Sequence, residues 1–344
     1  MKYIKTEDAV GQVLCHDITQ IIPGEKKGPV FKKGHIVQKE DIPVLLSVGK
    51  EHLYVWEKRE GILHEDEAAE ILRDICMGNS PELNASLSSE GKIEITAAVD
   101  GLLKINSEKL IAVNSLGQMM IATVHGNTLV HKGDKLAGTR IIPLVIEEEK
   151  MKEAQKVAGF TPILSILPFK ETKIALVITG SEVSKGLIKD SFSPVLEKKL
   201  EEFPVSVIGK VYPGDNRNEI TNAVLGFVEN GADMVLCTGG MSVDPDDKTP
   251  GAIKDTGAEI VTYGAPVLPG AMFLLSYLSR GKKTIPVMGL PGCVMYAKRT
   301  IFDLIFPRVL TGEKLSSEDF AVYGEGGLCL GCNPCHYPNC GFGK

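Results

Sequence analysis

The second half of the chain alternates between short apolar runs and stretches with helical spacing. After Lys173 the apolar runs are KIALVITG, VSVIGKVY, ADMVLC, AEIVTY and TIPVMGL. Continuous apolar runs indicate strands that are buried on both faces, and helices between them favour a parallel sheet with right-handed crossovers. A capping hydroxyl before proline, at Ser193-Pro194 and at Thr249-Pro250, marks two helix starts. The pattern therefore predicts an α/β domain with a parallel sheet over 171–312.

The first half of the chain predicts smaller, β-rich pieces. Residues 1–58 hold short apolar segments broken by Gly and Pro, which predict a β-rich module with one helix near 41–48. Residues 59–80 place apolar side chains at helical spacing and predict one connecting helix. Residues 91–150 carry short apolar runs separated by turn signals such as DG and HGN. That spacing predicts a compact β barrel or sandwich.

Composition narrows the classes of protein. With 344 residues, 43% of them hydrophobic and 24% charged, the chain can bury a sizeable core in two or three domains. A formal net charge of −6 gives no diffuse attraction to nucleic acid or to an anionic membrane. No apolar stretch approaches the roughly 18 residues of a spanning helix, and the first residues lack the apolar core of a secretory signal. We expect a cytoplasmic protein that binds neither nucleic acid nor membrane.

Distinctive loops follow the predicted strands of the α/β domain. They are TGSE at 179–182, PGDN at 213–216, TGG at 238–240 and GLPG at 289–292. Ligands of open α/β sheets gather beyond the carboxyl ends of the strands, where glycines admit the ligand and helix-start amides favour phosphate. Neither a Walker A motif nor a strand-linked GxGxxG is present, and each Gly pair taken alone also fits an ordinary turn. Together these loops predict a cleft for a phosphorylated ligand.

Carboxylates next to such a cleft need an explanation. Asp215 and Asp247 would repel a phosphorylated ligand unless a divalent cation lay between the carboxylates and the phosphate. Mg²⁺ is the cation that usually binds carboxylates and phosphate oxygens together. We therefore assign both residues as magnesium ligands with catalytic roles. The alternative is that they cap or approach helix N-termini. Asp244 and Asp246 are expected to be solvated loop residues.

These loops resemble the molybdopterin-binding domain of molybdenum cofactor biosynthesis proteins, which include molybdopterin molybdotransferases and the gephyrin E domain. The matching pieces are TGSEV, KDS, YPGDN, TGGMSVDPDD, PG at 269–270 and GLPG. The resemblance implies a three-layer α/β/α domain that binds molybdopterin or its adenylate and uses Mg²⁺ during molybdate insertion. Protein partners compatible with it are a molybdenum enzyme that receives the cofactor and a second copy of the chain. The substrate-binding positions expected from the loops and the resemblance are Thr179, Gly180, Glu182, Asp190, Ser191, Thr238, Gly239, Gly240, Ser242, Pro269, Gly270, Gly289, Pro291 and Gly292.

The chain departs from the usual transferase motifs at several positions. Ala271 stands where a lysine is usual, Cys293 replaces an asparagine, Tyr296 replaces a small hydroxyl residue, and Phe192 replaces an asparagine. Lysine and hydroxyl donors are what an oxyanion such as molybdate needs. The departures therefore weaken molybdate insertion more than pterin binding.

Two alternatives to a transferase follow. The first is a carrier or sensor that binds molybdopterin without catalysis, and it would bind the pterin without releasing AMP. The second is a metal-dependent hydrolase of nucleotide pyrophosphates, because TGG followed by PDD and TP also resembles CinA-like proteins. Binding of ADP-ribose rather than molybdopterin would favour that hydrolase.

Cysteines are concentrated in the tail, 325–344, in the stretch CLGCNPCHYPNC. Its CxxCxxCxxxxC spacing lets four thiolates converge on one metal centre, either a [4Fe–4S] cluster or zinc. His336 is expected outside the ligand set, and the alternative is four reduced, exposed thiols. The predicted ligands are Cys329, Cys332, Cys335 and Cys340. The scattered cysteines, expected to be buried thiols, are Cys15, Cys76, Cys237 and Cys293.

Overall fold

The computed structural model describes residues 2–22, 26–55, 60–245 and 247–344. Asp246 and short parts of the predicted segments 1–58 and 59–80 lie outside these ranges. The chain divides into two compact units. Unit 1 comprises 1–99, 105–124 and 132–165, and unit 2 comprises 100–104, 125–131 and 166–344.

The strands up to residue 168 are β1 Lys2–Lys5, β2 Ile18–Ile22, β3 Lys26–Phe31, β4 His52–Val55, β5 Ile62–His64, β6 Leu83–Ala85, β7 Lys92–Ala97, β8 Gly101–Ile105, β9 Met119–Thr123, β10 Thr128–Val130, β11 Lys135–Ile141, β12 Val145–Glu147 and β13 Leu164–Pro168. The helices of this part are α1 Asp41–Ser47, α2 Glu65–Met77, α3 Ser107–Ser115 and α4 Glu148–Ala158, with a 3₁₀ turn at Thr6–Asp8.

Unit 1 is built on an antiparallel sheet in the order β6-β7-β11-β9, on which α2 packs. Helix α2 begins after His64, whose side chain accepts a hydrogen bond from the Asp66 amide, and buries Leu72 and Cys76. The predicted helix over 59–80 is shorter than expected, because Ile62–His64 pairs with β12 as a strand. The segment 91–150 contributes to both units, since β8 and β10 form a separate sheet in the order β10-β8-β13.

The remaining strands are β14 Thr172–Ile178, β15 Val205–Val211, β16 Met234–Thr238, β17 Glu259–Tyr263, β18 Leu274–Arg280 and β19 Lys283–Leu290. The remaining helices are α5 Ser181–Ser184, α6 Phe192–Leu200, α7 Arg217–Glu229, α8 Thr249–Asp255, α9 Ile301–Leu310 and α10 Ser317–Ala321, with 3₁₀ turns at Gly292–Met295 and Val322–Gly324.

The main sheet of unit 2 has the order β15-β14-β16-β19-β18-β17. Strands β15, β14, β16 and β19 are parallel to one another, as the apolar pattern predicts. The α/β class is confirmed, but the sheet is mixed rather than wholly parallel. Strand β18 forms an antiparallel hairpin with β19 around Gly281, and β17 pairs antiparallel with β18.

Helices cover both faces of this sheet. Because side chains alternate along a strand, Ile174 and Leu176 of β14 face one core with α6 and α9, and Ala175 and Val177 face the other with α7 and α8. The result is a three-layer α/β/α arrangement. Within the described ranges, no helix is both long and apolar enough to cross a membrane.

Candidate functional site

Three of the predicted loops begin side by side. Strands β14, β16 and β19 end in register, with Ile178 paired to Thr238 and Thr238 paired to Leu290. The chain therefore leaves the sheet at neighbouring points and enters the TGSE, TGG and GLPG loops. This is the carboxyl edge at which open α/β sheets bind ligands.

The TGG loop is fixed by its backbone and by two threonines. Gly239 has φ +83°, and a Cβ at this position would lie 2.4 Å from the carbonyl oxygen of Thr179. Thr249 Oγ1 donates a hydrogen bond of 2.8 Å to the Gly239 carbonyl, and Thr179 Oγ1 donates one of 3.0 Å to the Thr238 carbonyl. Only glycine fits at position 239, so the TGG motif shapes the edge of the site.

A cavity of about 540 Å³ opens at this edge. Its predicted lining residues are Gly239, Gly240, Ser242, Asp247, Pro291 and Gly292. Its further lining residues are Met241, Asp244, Ala271, Met272, Cys293, Met295 and Tyr296. Residues from the TGG loop, from the PGAM loop at 269–272 and from the GLPG loop thus meet around one space of a size that suits a cofactor.

The wall of this cavity has two chemically different parts. Asp244 and Asp247 supply carboxylates, and the described lining residues include no lysine or arginine. The other part of the wall is less polar and is formed by sulfur-containing and aromatic side chains. They are those of Met241, Met272, Cys293, Met295 and Tyr296. Burial raises the pKa of the Cys293 thiol, so this cysteine contributes a neutral, polarisable group. Sequence reasoning missed the three methionines, because each lies in a different loop and is typical of a core residue.

The loop that carries Asp247 is closed by its own hydrogen bonds. The Asp247 amide donates to the Asp244 carbonyl at 2.9 Å, and the Asp244 amide donates to Asp247 Oδ2 at 3.3 Å. Tyr263 Oη donates to the Met241 carbonyl at 2.9 Å, and burial together with the charge of Asp247 raises the pKa of this tyrosine. Asp244, expected to be a solvated loop residue, is exposed yet borders the cavity beside Asp247.

Asp215, the other predicted magnesium ligand, has a different position. Its Oδ2 accepts a hydrogen bond of 2.9 Å from the Ser181 amide, so it joins the PGDN loop to the TGSE loop. Asp215 is not among the described residues that line the cavity. Asp247 thus lines the cavity, whereas Asp215 bonds the TGSE loop.

Asp190 and Ser191 lie at the start of α6. Asp190 Oδ1 accepts hydrogen bonds from the amides of Phe192 at 2.8 Å and Ser193 at 3.0 Å. Burial alone would raise the pKa of Asp190, but bonds from Ser193, Phe192 and Tyr212 lower it. Ser191 Oγ is 3.3 Å from Met295 Sδ. Asp190 thus satisfies helix-start amides.

The remaining predicted positions are not among the described residues that line the cavity. Gly270 has φ +126°, and a Cβ there would lie 2.5 Å from Ile301 Cγ2. Gly289 is buried, and a Cβ there would lie 2.5 Å from Met241 Cε. Gly180 has φ +134°, and Glu182 is exposed. Pro269 lies directly before Gly270 and thus next to Ala271 and Met272 of the wall.

A compact group of residues of the types that bind metals lies in unit 1, and no sequence motif predicts it. Ligand atoms of His64, Glu65 and Asp66 lie within 4.8 Å of one another. Lys33 Nζ is 3.0 Å from His64 Nδ1 and forms an ion pair with Asp66. The lysine ammonium thus already contacts two of the three residues, His64 and Asp66.

Comparison with known proteins assigns the α/β domain. Residues 175–311 match the family model described as a probable molybdopterin binding domain. The resemblance expected from the strand-end motifs is thereby confirmed for this domain, which makes up less than half of the chain. Residues 3–57 match a second family model, described as a domain of unknown function.

Two individual relatives match part of the chain. A CinA-like protein of Syntrophomonas wolfei is 32% identical over 127 residues, which are 37% of this chain and 29% of the relative. A molybdopterin molybdenumtransferase of Synechococcus elongatus is 24% identical over 147 residues, which are 40% of this chain and 34% of the relative. The chain therefore spans only about a third of the length of each of these relatives.

A tungsten cofactor synthesizing protein, MoaB of Pyrococcus furiosus, is a structural neighbour with 18% identity and a TM-score of 0.34, over 41% of this chain and 92% of that one. MoaB of Thermus thermophilus has 17% identity and a TM-score of 0.33, over 41% of this chain and 98% of that one.

Proposed function

We propose that the cavity at the carboxyl edge of the sheet binds molybdopterin or its adenylate in a Mg²⁺-dependent step of molybdate insertion. The observation that carries this proposal is the meeting of the TGG, PGAM and GLPG loops around one cavity of about 540 Å³. The family match and the transferase relative support a role in molybdenum cofactor biosynthesis.

The two parts of the wall suit the two ends of such a ligand. Gly239 and Gly240 bring the backbone up to the ligand, and backbone amides are good donors to phosphate oxygens. Flat, polarisable rings pack well on thioether and aromatic side chains, which Met272, Met295 and Tyr296 provide. We therefore place the phosphate at the TGG loop and the pterin against the sulfur-rich wall.

The carboxylates fit a magnesium ion that is shared with the ligand. Mg²⁺ is usually held by one or two carboxylates, waters and substrate phosphates, so Asp247 with the neighbouring Asp244 would hold it without Asp215. When bound, the ion would offset the repulsion between these carboxylates and the phosphate. Asp215 supports the TGSE loop through the Ser181 amide.

A non-catalytic carrier is the second candidate function, and the wall itself favours it. Ala271, Cys293 and Tyr296 stand at positions where transferases usually offer lysine, asparagine and a small hydroxyl residue, and the described lining residues include no cationic side chain. Molybdate would therefore find few donors here. A carrier would bind the pterin in the same cavity and release no AMP when molybdate is added.

The test is binding of molybdopterin to the purified chain, with Mg²⁺ and with EDTA, read as fluorescence of the oxidised pterin retained after gel filtration. Retention should fall at least tenfold in Asp247→Asn and in EDTA. Asp233→Asn is the matched control, because it makes the same substitution at the amino-terminal end of β16, whereas the cavity lies at the carboxyl-terminal end. The Asp233 carboxylate accepts a 3.2 Å hydrogen bond from the Lys173 amide. Equal retention in all samples, or binding of ADP-ribose in place of the pterin, would overturn the assignment. Release of AMP from the adenylate on adding molybdate separates transferase from carrier.

A further inference from the structure

The cysteine-rich tail is a folded part of unit 2. Phe342 is buried, and the Gly343 amide donates a 2.9 Å hydrogen bond to the Gly326 carbonyl. A Cβ at Gly343 would lie 2.3 Å from a methyl group of Leu304, so the tail packs tightly on α9. The four thiols are therefore held by a defined backbone.

All four tail cysteines line one cavity of about 250 Å³. The Cys329 amide donates to the Leu268 carbonyl at 2.8 Å, and the Cys340 amide donates to the Pro338 carbonyl at 2.9 Å. These bonds fix the first and last cysteines, and Cys332 and Cys335 lie on the loop between them. The fold thus brings together the set that the CxxCxxCxxxxC spacing predicts.

The size of this site bears on which of the two metal centres it suits better. A tetrahedral zinc with Zn–S bonds of about 2.3 Å requires sulfurs about 3.8 Å apart. Among the described residues, no three cysteine sulfurs lie within 4.8 Å of one another. The cavity is also larger than a single metal ion would fill, since even one water molecule occupies only roughly 30 Å³ in the liquid. A wider spacing around an open space fits thiolates that bind separate irons of one cluster.

We propose that Cys329, Cys332, Cys335 and Cys340 together bind one [4Fe–4S] cluster. Four cysteine thiolates are the usual ligand set of this cluster. Arg299 lines the same cavity and lies over the Tyr337 ring at 5.1 Å, and its ion pairs with Glu202 and Asp303 hold this guanidinium in place beside the cysteines. His336 also borders the cavity, but four cysteines already complete the usual ligand set of the cluster, so we leave this histidine outside it.

The cluster site adjoins the cavity proposed for the pterin. The Leu268 amide donates to the Gly327 carbonyl at 2.8 Å, so the tail pairs with the loop that continues into Ala271 and Met272 of the pterin wall. A further cavity of about 430 Å³ is lined by Tyr296 from the pterin wall and by Cys335 from the tail. The cluster would lie beside the loops that shape the pterin cavity.

Anaerobic purification of the full chain, followed by reconstitution with Fe²⁺ and sulfide, tests this proposal independently of pterin binding. We expect about four irons and four sulfides per chain. We also expect a broad visible absorption that dithionite bleaches and an electron paramagnetic resonance signal in the reduced protein. Stoichiometric zinc in a colourless protein, or no bound metal at all, would overturn the proposal.

Variants separate ligation from folding. Cys332 is exposed, so Cys332→Ser should lower the iron content without lowering the thermal midpoint of the metal-free chain. His336→Ala should retain full iron, and so should Cys15→Ala, whose thiol is buried in unit 1. Full iron content in Cys332→Ser, or loss of iron in His336→Ala, would show that the ligand set is wrong.

Discussion

The steric role of Gly239 can be measured against a second glycine with nearly the same φ angle. Gly239 has φ +83° and Gly257 has φ +84°. An alanine at either position carries the cost of a left-handed conformation, about 1–2 kcal/mol. At Gly239 the new Cβ would also lie 2.4 Å from the Thr179 carbonyl oxygen, whereas at Gly257 nothing lies within 4 Å. Such overpacking adds about 1–3 kcal/mol.

We therefore expect Gly239→Ala to lower the free energy of unfolding by about 1–3 kcal/mol more than Gly257→Ala does. Urea unfolding followed by circular dichroism measures this difference. Because Gly239 lines the cavity, its variant should also lose retained pterin, while Gly257→Ala should bind as the native chain does. Equal destabilisation by the two variants would refute the close packing of the TGG loop on Thr179.

Three other substitutions test separate parts of the structure. Asp215→Asn should cost about 1 kcal/mol of stability through its weakened bond to the Ser181 amide, and reduce pterin retention less than Asp247→Asn does, as gel filtration would show. Burial, with the charge of Asp66, raises the pKa of Glu65 from 4.5 to about 7, so the folded state keeps a proton that the unfolded chain releases as pH rises from 4.5. Glu65→Gln should match the native free energy of unfolding below pH 4.5 and exceed it by about 3 kcal/mol near pH 8. Urea unfolding at a series of pH values measures this difference, and equal stability of the two chains at all pH values would contradict a buried Glu65 that retains its proton. Arg308 is buried and pairs with Glu313 and Asp319, so Arg308→Met should cost about 3–5 kcal/mol in the same assay, and a loss below 1 kcal/mol would contradict its role.

The central strands of the parallel part could be predicted because they are buried on both faces, whereas the edge strand β15 is largely exposed despite its apolar run. Strands β14 and β16 are continuous apolar runs, and each is followed by a glycine-containing loop, so the run and the loop together fix where the strand ends. Strand β18 was not predicted, although its apolar run is joined to β19 by a short turn at Gly281. The turn was the available signal, since two runs so close together form a hairpin rather than a crossover.

The order of the sequence alone could not show whether Asp215 and Asp247 lie beside the same ligand. Strand β15, which precedes Asp215, lies on one side of β14, and β16, which precedes Asp247, lies on the other. The TGSE loop after β14 therefore comes between the two aspartates, and Asp215 bonds that loop at Ser181. Sheet order depends on long-range packing, which motif spacing along the chain does not report.

The sulfur-rich wall was hidden for a related reason. Met241, Met272 and Met295 follow three different strands or loops, and each one alone is typical of a core side chain. Their shared surface arises only when the loops meet. In contrast, the four tail cysteines are close in the sequence, so their convergence on one cavity could be predicted from spacing alone.

The most direct measurement is a crystal structure of the chain with molybdopterin and Mg²⁺. Our account predicts that the phosphate accepts hydrogen bonds from the amides of Gly239 and Gly240, that Asp247 contacts the ion, and that the pterin lies against Met272 and Tyr296. A pterin bound elsewhere on the chain, or a cavity at the carboxyl edge of the sheet that stays empty at saturating ligand, would contradict it.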